Sequence, residues 1–110
     1  MNFIEYQEKI LTFLSDAGRS DMLVNSALGL AGETGEYIDL IKKFLYHGHD
    51  LNKEKVFFEL GDILFYVAEA CEANGLTLQD VANGNIGKLT RRYPNGFSTA
   101  DSIAKRDANG

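Results

Sequence analysis

The chain has no tryptophan, one proline and one cysteine among 110 residues. A single thiol, Cys71, excludes an internal disulfide framework and a cysteine-rich zinc site, and it suits a reducing compartment such as the cytoplasm. Basic residues are in the minority: eleven Lys and Arg stand against sixteen Asp and Glu, a formal net charge of −5. That is the reverse of the footprint of a chain that wraps nucleic acid, so no nucleic acid polymer is expected as a partner. No apolar run approaches the ~18 residues needed to cross a bilayer, and the first six residues carry no basic stretch leading into an apolar one. No membrane association is expected.

What is present reads as helix. The apolar residues recur with helical rather than alternating spacing, and the one proline falls late, at Pro94. The expectation is an all-α fold, a single domain over 1–110 with core helices at about 3–16, 21–46, 52–74 and 77–93. A tail at 94–110 carries a short helix over 99–106. The first helix stops at Ala17-Gly18, the second at His47-Gly48-His49, and the third is capped within Asp50 to Asn52. From Val56 to Ala73 the third helix is apolar almost all the way round, which predicts burial on several sides and, in a domain this small, a subunit interface. Thr77 to Asp80 has the form of a capping box for the fourth helix, in which Gly84 and Gly87 predict a bend or the approach of a neighbour or ligand to the backbone.

Two helices carry acid pairs three residues apart, Glu33-x-x-Glu36 and Glu59-x-x-Asp62. At about 100° per residue, Glu33 lies on the stripe of Tyr37, Leu40 and Phe44, and Glu59 on that of Ile63, Tyr66 and Ala70, with Glu36 and Asp62 at the borders. All four are expected to face inward. An ionised carboxylate in apolar surroundings needs a partner, and the residues four positions on are Tyr37, Leu40, Ile63 and Tyr66, none of them cationic. Only Lys55, four before Glu59, is within helical reach. Asp39, followed by Lys42 and Lys43, is what a solvated, ion-paired acid looks like in this chain. Four such acids either protonate or enclose a hard cation, and all-oxygen ligation favours Mg²⁺, with Mn²⁺ as substitute, over zinc or copper. The densest basic stretch, Lys88 to Tyr93, puts Lys88 and Arg92 on one face of the fourth helix with Asn85, while Arg91 points off it. Mg²⁺ flanked by Lys and Arg suits a polyphosphate, and the absence of a G-x-x-x-x-G-K-[ST] loop argues against a Walker-type ATPase.

Ala27 to Glu36, Glu59 to Tyr66, Asn85 to Leu89 and Arg92 to Phe97 together resemble the MazG-like nucleotide pyrophosphohydrolases. So does the order E-x-x-E, a gap of 22 residues, E-x-x-D. The resemblance implies a four-helix bundle-like, oligomeric protomer of the all-α NTP pyrophosphatase type, at least a homodimer and up to a homotetramer. It implies Mg²⁺-dependent cleavage of a nucleoside triphosphate to the monophosphate and pyrophosphate. It further implies that Glu33, Glu36, Glu59 and Asp62 are catalytic metal ligands, with Lys88 and Arg92 as phosphate contacts and Lys55, Asn85 and Arg91 as further substrate contacts. The alternative is a non-catalytic helical interaction module whose acids form a cation-stabilised cluster. A carboxylate-bridged di-iron bundle is disfavoured because neither acid motif carries a histidine. His47 and His49 read as capping or surface groups, Tyr37 and Tyr66 as core or base-stacking rings, and Gly29, Gly32 and Gly35 as close-packing positions.

Overall fold

The computed structural model describes residues 1–105, and within them every helix or strand longer than an isolated bridge is a helix. They divide into two compact units, residues 1–78 and 79 onward.

In the first unit, the side chains of the capping residues set where the helices begin. Asn2 opens α1 (Phe3–Ile10), which tightens into a 3-10 turn at Leu11–Phe13. Ser15 opens α2 (Asp16–Ser20), Asp21 opens α3 (Met22–Tyr46) and Asn52 opens α4 (Lys53–Ala73). In each case the side-chain oxygen accepts from a backbone N–H in the first turn, satisfying donors that have no partner inside the helix. The expected first helix is therefore divided. The chain is extended at Leu14 (φ −77°, ψ 140°), the Ser15 hydroxyl restarts it, and Ala17-Gly18 lies inside α2 rather than ending α1. α3 ends as expected at Gly48 (φ +73°), with the N–H groups of His47 and His49 both donating to the Lys43 carbonyl. α4 ends in a Schellman motif: Gly75 is left-handed (φ +70°), its N–H reaches the Glu72 carbonyl, and the Leu76 N–H reaches that of Cys71.

Ile10, Ala68, Cys71 and Leu78 form the core, with Tyr6, Leu11, Leu64, Phe65 and Val67 packed against it. Gln7, buried in this contact, fastens α1 to the end of α4. Its amide nitrogen donates to Glu72 Oε2 and the Leu76 carbonyl, and its oxygen accepts from the Leu78 N–H at 2.7 Å. Only the later turns of α4 are covered in this way. Phe57 and Phe58, expected to be buried within the domain or at a subunit interface, are 71% and 60% exposed in the single chain.

α3 and α4 pack antiparallel along a seam. Asn25 meets Glu69, Gly29 meets Tyr66, and Glu33 meets Glu59 and Asp62. Of the three α3 glycines, only Gly29 is a close-packing position: a Cβ there would lie 2.2–2.4 Å from the Tyr66 ring, whereas at Gly32 or Gly35 it would meet nothing within 4 Å.

The second unit holds most of α5 (Leu78–Arg92) and α6 (Thr99–Ala104), the latter opened by Ser98. α5 runs uninterrupted through Gly84 and Gly87. A Cβ at Gly84 would meet nothing, and at Gly87 only the Arg91 guanidinium of the same helix, so no neighbour explains them. The helix stops ahead of Pro94, and Tyr93 and Phe97 stack obliquely with centroids 5.2 Å apart. The expected end of the last helix at Arg106, and 107–110, lie outside the described residues.

The seam makes opposite predictions for two glycines in one helix. Gly29→Ala forces the Tyr66 ring aside and lowers unfolding stability by about 1–3 kcal/mol. Gly32→Ala, in open space, raises it by up to about 1 kcal/mol through helix propensity. Urea titrations of both variants check the contrast.

Candidate metal centre

Glu33 sits midway along α3, and Glu59 and Asp62 lie one turn apart on α4. The antiparallel seam brings the three together, with one carboxylate oxygen from each within 4.8 Å of the others. Glu33 and Glu59 are half-buried and Asp62 is exposed. Glu36 is exposed and outside this trio, although its charge still acts on Glu33. The expectation that all four acids face inward thus holds for one acid of each pair. Three residues on a helix turn about 300°, which carries the second acid of each pair to the rim.

Burial pushes the Glu33 carboxyl above its usual range, reinforced by a hydrogen bond shared with Glu59 and then by the charges of Asp62, Glu59 and Glu36. Asp39, a turn and a half along the same helix, behaves oppositely. Lys43 at 2.8 Å and Lys42 at 3.1 Å hold its carboxyl low. The charges that act on Glu33 are all acidic, from Asp62, Glu59 and Glu36. One oxygen of Glu59, Oε2, is shut off from solvent and accepts no hydrogen bond. A buried carboxylate oxygen without a donor is costly, and like charges near 4 Å repel by about 4 kcal/mol even at the effective dielectric of a protein surface. A divalent cation removes both penalties. Three hard oxygen donors, one of them unpartnered, fit Mg²⁺ or Mn²⁺ rather than a softer metal.

The MazG nucleotide pyrophosphohydrolase domain matches over residues 24–97, well over half of the chain. The chain belongs to the MazG family. The Gene 37 protein of Mycobacterium phage L5 is 33% identical over 73 residues, 63% of this chain and 64% of that protein, so the chain spans less than two-thirds of that relative's length. No solved structure gives a significant match.

The other residues expected at a MazG site fall in two places. Lys55 lines a cavity of about 340 Å³ with Asn52, Glu54, Phe58 and Glu59, directly beside the trio. Asn85, Lys88, Arg91 and Arg92 all lie on α5, in the second unit. Lys88 and Arg92 are half-buried, while Asn85 and Arg91 are exposed. One acid of the seam, Glu69, escaped the sequence reading, whereas Tyr6 lies in the Tyr6-Gln7 stretch, where the resemblance is weaker. The Tyr6 phenol is pushed up by burial and by the charge of Asp62, which sets α1 beside the acids. Nothing local in sequence links residue 6 to residue 62. Glu69, fully buried two turns after Asp62, was legible by the criterion that picked out Glu59, since it too stands among apolar residues, from Val67 to Cys71.

The raised Glu33 carboxyl sets a pH dependence. In metal-free protein the folded state holds this proton more tightly than the unfolded chain. Its stabilising contribution is therefore present below the ordinary glutamate range and lost as pH rises through the raised value. A cation held by Glu33 would have to displace the same proton. Mg²⁺ affinity is expected to climb with pH across that window and then level off, with proton release on binding. Calorimetry in buffers of different ionisation heat checks this, and pH-independent binding without proton release contradicts it.

Proposed function

We propose that the chain is a Mg²⁺-dependent nucleoside triphosphate pyrophosphohydrolase that converts a (d)NTP and water to the (d)NMP and pyrophosphate. The reading is carried by the convergence of Glu33, Glu59 and Asp62 from two helices, with a Glu59 oxygen left without a donor. Membership of a family described by this activity supports it.

Glu33, Glu59 and Asp62 would hold Mg²⁺, with Glu36 at the rim completing the ligand set as the substrate arrives. The cation would supply charge neutralisation at the α-phosphoryl group and a lowered pKa for attacking water. A carboxylate of the cluster orients the water and takes its proton as the oxygen attacks the α-phosphorus in line. The bond from that phosphorus to the α,β-bridging oxygen breaks, and pyrophosphate leaves. Lys55 sits one turn before Glu59, and Lys88 and Arg92 share a face of α5 with Asn85, with Arg91 alongside. The Lys and Arg side chains would supply positive charge, and the Asn85 amide hydrogen-bond donors, suited to the departing pyrophosphate.

We also propose that the chain works as a homodimer or homotetramer. Ile38, Leu45 and Tyr46 on α3 are 58%, 59% and 79% exposed, and the exposed Phe57 and Phe58 add to the apolar surface of the first unit. Apolar surface on this scale in so small a unit supports this reading. No described helix is long and apolar enough to cross a membrane.

The test is a panel of ribo- and deoxyribonucleoside triphosphates with Mg²⁺, the products resolved by ion exchange. Monophosphate plus pyrophosphate is expected. Diphosphate plus phosphate contradicts the reading, and metal binding without turnover leaves the helical interaction module in its place. Glu59→Gln is expected to lower turnover by more than about 100-fold, the upper end of what outer-shell changes cost at metal sites. Its melting temperature in EDTA should equal or exceed that of the native chain, because a repelling charge is gone.

A further inference from the structure

Glu69 is the most deeply buried ionisable group among the described residues, with 0% of its surface exposed, yet it lies outside the acid trio. Both of its carboxylate oxygens accept from one donor, the Asn25 amide nitrogen, each at 2.9 Å. A buried carboxylate held by a single neutral amide is a poor source of stability, since an apolar side chain of the same volume commonly serves a fold as well or better. Something other than stability accounts for the pair.

Its position along the seam supplies a reason. On α3, Asn25, Gly29 and Glu33 follow one another at intervals of four. On α4, Glu69, Tyr66, Asp62 and Glu59 run the opposite way at intervals of three and four, so the two sets face each other rung by rung. The Asn25–Glu69 rung lies about 12 Å along α3 from Glu33 and about 10 Å along α4 from Asp62. The middle rung, Gly29 under the Tyr66 ring, is a flat contact that fixes separation but not sliding. The last rung consists of acids that repel. A directional hydrogen-bonded pair at one end is the kind of contact that resists sliding or turning of α3.

We propose that Asn25 and Glu69 are positioning residues for the metal centre, a clasp that holds α3 in register with α4 so that Glu33 stays opposite Glu59 and Asp62. This rests on the reading of the trio as a Mg²⁺ site. It predicts that breaking the clasp lowers metal affinity without lowering stability.

The experiment measures Mg²⁺ affinity by calorimetry, and melting temperature in EDTA, on the full chain and its variants. Glu69→Leu is expected to melt at or above the native temperature while binding Mg²⁺ about tenfold more weakly, within the range of outer-shell changes. Glu69→Gln removes the same charge but still accepts from Asn25, and is expected to stay within about threefold of native. Equal losses in both variants would trace the effect to charge rather than register and overturn the proposal, as would native affinity in Glu69→Leu. If Glu69→Leu fails to fold, Asn25→Asp and its combination with Glu69→Gln decide the matter. Asn25→Asp adds a negative charge that by itself favours a cation, yet it sets two carboxylates against each other, so affinity is expected to fall. The double variant restores one amide facing one carboxylate and is expected to recover it. Failure to recover, or no loss in Asn25→Asp, overturns the clasp. A native chain that binds no Mg²⁺ removes the metal site and the clasp together, whereas Mg²⁺ binding without pyrophosphate release removes only the proposed reaction.

Discussion

Carboxylates from two helices meet at one point in this molecule without a cation to balance them, and much of the first unit can be read as the means of holding them there. Glu33, Glu59 and Asp62 offer oxygens within 4.8 Å of each other; burial and the neighbouring acids make Glu33 hold its proton more tightly, and one Glu59 oxygen is left without a donor. An arrangement that costs the free protein energy persists when a bound species recovers it. Asp39 shows that the same helix can neutralise an acid with two lysines where nothing needs to bind.

The seam that enforces the meeting is built from unlike contacts. Gly29 lets the Tyr66 ring lie against the α3 backbone and sets how close the helices come. Asn25 and Glu69 add direction. At the far end of α4, Gln7 spends all of its hydrogen-bonding atoms on Glu72, Leu76 and Leu78, which ties α1 to the turn after α4 and sets Tyr6 near Asp62. Polar groups thus carry the alignment, while the buried apolar core is confined to a few residues between α1 and the second half of α4.

That small core has a counterpart in what stays uncovered. Phe57 and Phe58 on α4, and Ile38, Phe44, Leu45 and Tyr46 on α3, project apolar surface into solvent. The all-round apolar pattern of α4 was the legible trace of this surface. It signals that the side chains seek burial, but it does not say by which neighbour, and among the described residues Phe57 and Phe58 in the first turns of α4 stay exposed.

The identities and order of the acids were readable from the chain, because helical periodicity turns a spacing of three or four into a shared face and exposes any acid that lacks a nearby base. Helix starts at Asp21, Asn52 and Ser98 were readable for a similar local reason: a side chain caps a backbone only a few residues away. The break at Leu14-Ser15, the rim position of Glu36, the proximity of Tyr6 to Asp62 and the clasp between Asn25 and Glu69 were decided by tertiary structure. Each depends on how two helices far apart in sequence are rotated and registered against each other. Periodicity names the face a residue shares with its neighbours on the helix; only packing selects what that face meets.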